Sequence, residues 1–548
     1  GYSAGGGTWA NQDCSNLIAI GTSALSGALE GDTADGTIAI GRDALTALTS
    51  GAGNTAVGYI SGQYNETGSQ NTYVGYASGL GASGQSHSTN TAVGYFTLKD
   101  VTTGGANTVI GAFAGDVVTT QDSLTLVGKN AGSAINDNGA NGTVAVGASA
   151  LGALTSGTMN LAIGYQAQAS QTTGNRNTVI GHQAMYTADG GEDFNTIIGS
   201  QSGYYINNDA SHDNVIIGKN ALQGGTGEII GCVAIGSNAM DAVSNGNQTG
   251  TVAIGTDALG ALTSGAGNVA VGYKAGLALT SGDGNTAVGY ESLYTDDLGF
   301  GTTAIGYRAC YYQNSDDSDE VTGNTAVGYA ALHVNVDGAY NTAVGYKSLY
   351  NFEADADNHG DNTAVGNQAG MFISTGTQNT MIGNLAGLGI TGTRLTGDGN
   401  TCVGANAGIE LEGAAHSNTF VGKAAGNTTE AGVENTCIGF NTETSADNST
   451  NQTVIGNGAV GQQNNSVTLG NSSVTDVFMG SDSGALVNCS GIAFPATQVA
   501  SGGANALDDY EEGEHTTAIT GATSGSWVLD SAQNKLSYTK IGRMVTVV

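Results

Sequence analysis

A narrow parallel β-solenoid is the fold this sequence predicts, and three observations predict it. The string Asn285-Thr286-Ala287-Val288-Gly289-Tyr290 returns as Asn54 to Tyr59, Asn324 to Tyr329 and Asn341 to Tyr346. Its glycine recurs about 26 times between Gly21 and Gly470, most often 17 residues apart, with steps as long as 22 between Gly306 and Gly328. Apolar residues beside that glycine alternate as in a strand, and no stretch of the array sustains a helical period. A fixed period broken only by insertions is the mark of stacked units that cannot bury a core alone.

Each position of the repeat has a reading. The marker glycines, among them Gly58, Gly75, Gly94, Gly272, Gly289, Gly306, Gly328 and Gly345, suit a corner that a side chain would obstruct. Val288 and Val327, one residue earlier, are β-branched and fit a pleated surface. In Thr251-Val252-Ala253-Ile254 the residues Val252 and Ile254 share one face, expected to point inward, with Ala253 on the other. Asn285 and Asn324 open the string; asparagine favours a turn there and can stack into an amide ladder with its copies. The second half of each coil is small and polar, as in Ala261-Leu262-Thr263-Ser264-Gly265, with room for a second short strand and two turns.

Such a coil is thin, so a single chain is expected to be marginal against its ordering entropy and to bury a second face against sister chains. The alanine slot (Ala56, Ala92, Ala287, Ala326, Ala343) is the expected second face, and Tyr73, Met381 and Phe420, which replace alanine there, are expected to rearrange that contact.

Along the chain, residues 1–470 read as the array, which starts mid-repeat: Gly1-Tyr2-Ser3-Ala4-Gly5 resembles Gly75-Tyr76-Ala77-Ser78-Gly79, so the chain is expected to be a piece of a longer protein. Residues 471–495 read as a closing coil, with a strand at Val477-Phe478-Met479, and a connection holding the sole proline, Pro495. Residues 496–548 read as a partial C-terminal β domain: an acidic linker from Leu507 to Gly513, then strands at Trp527 to Leu529 and Met544 to Val548.

Composition bounds function. Ninety-one glycines with one proline exclude collagen. A net charge of −33, with 13 Lys and Arg, argues against nucleic acid and anionic membranes as partners, since both need a basic face. Six cysteines stand singly, without metal spacing, and no disulfide is expected; Cys402 and Cys437 occupy the alanine slot and read as small buried residues. No apolar run is long enough for a membrane helix.

The repeats Thr251-Val252-Ala253-Ile254-Gly255 and Asn285-Thr286-Ala287-Val288-Gly289 resemble the head repeats of trimeric autotransporter adhesins. They are still more similar to the version in bacteriophage tail-fibre and appendage proteins. Ser466 to Val477 looks like the join that ends such arrays, and Leu507 to Gly513 with Tyr538 to Arg543 is similar to a segment recurring in phage structural proteins. The resemblance implies a homotrimer of left-handed β-rolls: a virion shaft that holds a tip against a host cell-surface glycan or protein receptor and joins virion attachment proteins. A bacterial trimeric surface adhesin is the alternative, and a polysaccharide-degrading tailspike a second. The repeat here is about 17 residues against the family's commoner ~14, which leaves the second turn of each coil open.

Candidate chemistry is sparse. Tyr59, Tyr76, Tyr273, Tyr290, Tyr307, Tyr329 and Tyr346 follow marker glycines; they read as a stacked ladder that stiffens the rod, against an aromatic strip for glycans. Acidic loops at Ser281 to Gly284 and Asp316 to Asp319 offer hard oxygen ligands for calcium but lack EF-hand spacing, so solvated loops are the plainer reading. No catalytic residue, cofactor or metal site emerges, and an enzyme is not expected.

Overall fold

Twenty-six short strands pair into one parallel sheet that runs the length of the repeat array. The computed structural model describes residues 2–7, 15–244, 246–314, 321–354, 359–475 and 477, together with the strands Tyr510–Thr516, Lys535–Ile541 and Met544–Val547. The strands carry the repeat string, so neighbours pair like with like: Val269 faces Thr286, Ala270 faces Ala287 and Val271 faces Val288. At ~4.8 Å per rung the array is roughly 125 Å long. Two short 3-10 turns, Gly31–Ala34 and Asn138–Ala140, are the only helical segments among the described residues. The fold is an all-β parallel solenoid of about 26 coils.

The second half of the coil departs from expectation. Each coil has one short strand in the main sheet, three residues long as in Thr286–Val288 or four as in Gln452–Ile455 and Ser466–Leu469, and not two; one extra pair, Ile229–Ile230 with Gln248–Thr249, forms a separate two-stranded sheet. The rest is a chain of tight turns in which alternate residues are left-handed, as Glu291 (φ +51°) and Leu293 (φ +49°) are. That alternation aims successive amides at opposite neighbours. The Glu291 N–H donates to the Tyr273 carbonyl of the preceding coil, and the Leu293 N–H to the Ala309 carbonyl of the following one, each at 2.9 Å. Left-handed backbone costs about 1–2 kcal/mol at a non-glycine residue, and these bonds between coils offset it. Sequence propensity for strand could not reveal an element with no strand geometry.

The corner residue is constrained twice. Gly289 has φ +141°, and a Cβ built on it would lie 2.3 Å from the Gly306 carbonyl oxygen of the next coil. Close stacking and backbone conformation both demand glycine.

Inside and outside are reversed from the expectation. The alanine slot points into the coil: Ala56, Ala92, Ala326 and Ala343 are wholly buried, and Ala287 nearly so. The flanking Thr and Val or Ile point outward; in Thr286–Val288 both ends are half-buried while the centre is buried. Leucines from the turn half, such as Leu259 and Leu262 of the Ala253 coil, already fill much of the interior, so a small slot residue completes the core there. Tyr73, Met381 and Phe420 are likewise fully buried within one chain, so they do not alter a contact between chains. Their space comes from glycine six residues later, at Gly79, Gly387 and Gly426, where the coils of Ala253, Ala287 and Ala343 carry leucine.

An asparagine column closes the interior. Asn268 Oδ1 accepts the Asn285 N–H at 2.9 Å, and Asn285 Nδ2 donates to the Gly299 carbonyl at 2.7 Å. Similarly, Asn324 Oδ1 accepts the Asn341 N–H at 2.9 Å, and Asn324 Nδ2 donates to the Gly338 carbonyl at 2.7 Å. These amides are buried, and each satisfies backbone groups of an adjacent coil that no strand ladder reaches. The column runs without a break from Asn324 to Asn435 and ends at Gln452, whose N–H donates to Asn435 Oδ1.

Buried cysteines Cys232, Cys310, Cys402 and Cys437 are free thiols, and burial pushes the Cys437 thiol up to about 12; Cys14 and Cys489 lie outside the described residues. The chain divides into two units, residues 1–474 and 475–548. In the second, Tyr510–Thr516, Lys535–Ile541 and Met544–Val547 form an antiparallel three-stranded sheet. Much of the expected acidic linker is therefore strand: Tyr510, Glu511, Glu512 and Gly513 pair with Ile541, Lys540, Thr539 and Tyr538. The expected strand at Trp527 to Leu529, the segment Phe478 to Met479 and Pro495 lie outside the described residues.

Candidate functional surface

Because every coil is in register with the next, a side chain that leaves one coil outward sits above its copy in another. Three outward columns result.

The first is apolar. The residue before each marker glycine, Val or Ile in nearly every coil, faces out on the strand side; Ile20, Ile110, Ile163, Ile305, Ile382 and Ile438 are exposed, and Val288 and Val327 are half-buried. This column runs the length of the sheet beside a row of outward threonines.

The second is aromatic. Tyr273, Tyr290, Tyr307, Tyr329 and Tyr346 stack ring on ring, with centroids 5.0–5.3 Å apart. Tyr59, Tyr76 and Tyr95 form a shorter stack at 5.1 and 5.2 Å. These tyrosines are 38–47% exposed, so the ladder keeps one edge in water. Stacked rings spaced by the sheet repeat gain contact without paying extra backbone strain.

The third column was not anticipated. Five residues after the glycine, Tyr294, Tyr311, His333 and Tyr350 stack at 4.9, 5.3 and 4.8 Å. A count of aromatics at that offset would have revealed it. Basic side chains bridge the two aromatic rows: Arg308 lies 5.3 Å from the Tyr307 centroid and 4.9 Å from that of Tyr311, and Lys347 lies 5.5 Å from Tyr346 and 5.1 Å from Tyr350. Arg308 Nε also donates to Glu291 Oε2 at 2.8 Å. Burial, and then the nearby charges of Arg308 and Lys347, hold the His333 ring below its usual basicity. The result is a field of ring faces and edges with cations between them, able to lie against a planar or ring-shaped partner.

Of the two loops named for calcium, only the first lies among the described residues. Asp283 Oδ1 accepts the Ala266 N–H, and Asp316, Asp317 and Asp319 lie outside the described residues. Among the described residues no helix is long and apolar enough to cross a membrane. No protein-family model and no curated protein matches this chain.

Proposed function

We propose that this chain is the shaft of a homotrimeric extracellular fibre on a bacteriophage tail or appendage, which carries a tip to a host cell-surface receptor. The rod itself is the solenoid described above; the trimer, the virion and the receptor belong to this proposal. One observation carries it: the outward Val and Ile column persists along a solenoid whose interior is already filled. Apolar surface kept in register over the whole array gains most when it is covered by the same surface of sister chains. The net charge of −33 favours a rod that stays apart from other rods and from anionic surfaces. No catalytic role is assigned to it.

Sedimentation analysis of the purified chain tests the assembly, with a mass three times 54.3 kDa expected; a stable monomer ends the proposal. Antibody labelling of native particles tests the place. Label on fibres of a capsid supports it, label on a bacterial outer surface favours the adhesin, and shortened host polysaccharide after incubation favours the tailspike.

A further inference from the structure

Glu192 occupies a slot that glycine holds in the two preceding coils, three residues before the asparagine column: Gly157 precedes Asn160, Gly174 precedes Asn177, and Glu192 precedes Asn195. The carbonyl of this residue accepts a side-chain donor of the preceding coil: Gly157 from Thr143 Oγ1 at 3.4 Å, Gly174 from Asn160 Nδ2 at 2.6 Å and Glu192 from Asn177 Nδ2 at 2.7 Å. The Glu192 side chain is fully buried as a result. Its Oε2 accepts only a long bond from the Gly190 N–H, 3.3 Å, and its Oε1 has no hydrogen-bond partner. A buried carboxylate without a donor or cation is strongly disfavoured. Among the described ion pairs none involves Glu192, Asp189 or Asp209.

The groups that do face it are two more carboxylates. One oxygen each of Asp189, Glu192 and Asp209 lies within 4.8 Å of the others. Asp189 and Glu192 belong to one coil and Asp209 to the next, where the Gly191 N–H holds Asp209 Oδ1 at 3.2 Å. Gln171 Nε2 donates to the carbonyl of Glu192 at 2.9 Å, so the loop is fixed from the coil below as well. Three carboxylates converging on one point, one of them buried and with one oxygen unpartnered, repel each other unless a proton or a cation neutralises them, and a cation satisfies all three at once.

We propose that Asp189, Glu192 and Asp209 form a calcium site that ties two successive coils together. Oxygens bound to one calcium at about 2.4 Å lie at most about 4.8 Å apart, whereas magnesium at about 2.1 Å requires closer packing. Magnesium is usually held by one or two protein carboxylates, so three that come within 4.8 Å of one another suit calcium, which takes about six to eight oxygen ligands. An adjoining cleft of about 440 Å³, lined by Gly191, Asp193, Phe194, Asp209, His212 and Asp213, leaves room for the waters that complete its shell. The site is independent of the proposed role of the rod and of the acidic loops considered from the sequence.

Calcium titration of the full chain by calorimetry, with magnesium in parallel, tests this. The parent is expected to bind calcium with a Kd at or below about 1 mM and magnesium at least about tenfold more weakly. Asp209→Asn, an exposed change that leaves the core intact, is expected to weaken that binding at least about tenfold. Glu192→Gln should abolish it while melting no lower than the parent in chelator, because it removes the buried charge. No saturable calcium binding by the parent, equal binding of magnesium, or undiminished binding by Asp209→Asn overturns the site.

Discussion

A Cβ added to Gly426 would lie 2.7 Å from three atoms of the Phe420 ring, so the glycine's missing side chain is the space the ring occupies. Six residues separate them in sequence. The same offset joins Tyr73 to Gly79 and Met381 to Gly387, while Ala253, Ala287 and Ala343 face Leu259, Leu293 and Leu349 across it. In these six coils large and small exchange places across the interior.

That exchange is measurable. Phe420→Ala should cost roughly 3–5 kcal/mol by opening a cavity, and Gly426→Leu roughly 1–3 kcal/mol by overfilling the coil. The double variant recreates the alanine–leucine coil, and Gly426 (φ +60°) already has the left-handed backbone that Leu259 (φ +50°) adopts. It should be more stable than the sum of the single changes by at least about 1 kcal/mol in a double-mutant cycle. Strict additivity of the three melts would contradict the pairing.

Corner glycines should not be equivalent to loop glycines. Gly289→Ala meets the Gly306 carbonyl at 2.3 Å and should cost roughly 3–5 kcal/mol. Gly284→Ala has left-handed backbone, φ +66°, but nothing within 4 Å of the new Cβ, and should cost roughly 1 kcal/mol. Thermal unfolding of the two variants side by side checks the ranking; similar losses would mean that the coils do not stack as closely as described.

Removing one rung of the asparagine column should be felt one coil away. Asn341 Oδ1 accepts the Asn362 N–H at 3.1 Å, and its Nδ2 donates to Asn324 Oδ1 at 3.2 Å and to the Ala339 carbonyl at 3.1 Å. Asn341→Ala should cost roughly 2–4 kcal/mol by leaving these buried groups unpaired. Hydrogen exchange of the Asn362 amide should accelerate more than that of the Asn435 amide, because repeats feel mainly their neighbours.

Acid should loosen the coils around Tyr73. Burial lowers the His87 pKa from 6.5 to about 4, and its Nδ1 is hydrogen-bonded to Tyr73 Oη at 2.7 Å. Between those values the unfolded chain binds a proton that the folded chain refuses. The His87 contribution is therefore fully present above pH 6.5, falls as pH drops toward 4, and levels off below; it amounts to on the order of 3 kcal/mol. Hydrogen exchange near Tyr73 at pH 7 and pH 4.5 checks this, and His87→Gln should flatten the difference.

Much was legible without coordinates. The interval from Gly272 to Gly289 to Gly306 located the rungs, and Thr286 to Val288 located the strand, because in-register stacking forces like onto like. Which way Ala287 faces was not legible. An alternating triplet has two faces, and a small residue between two larger ones suits a crowded interior as well as a tight contact between chains. The third surface column, Tyr294 to Tyr350, escaped because it is shorter than the ladder beside it and His333 interrupts its run of tyrosines. Glu192 escaped for a different reason: its acidity is unremarkable in so acidic a chain until burial is known.

By itself, the order of residues determined that this chain winds once per glycine, since no other arrangement satisfies so regular a period of strand-forming and corner-forming positions. Only the folded coil decided its inside and its outside, the left-handed turns of its second half, and the meeting of Asp189, Glu192 and Asp209. Those depend on what lies across the interior and in the next coil, and volume and charge are settled there between residues that only the winding brings together.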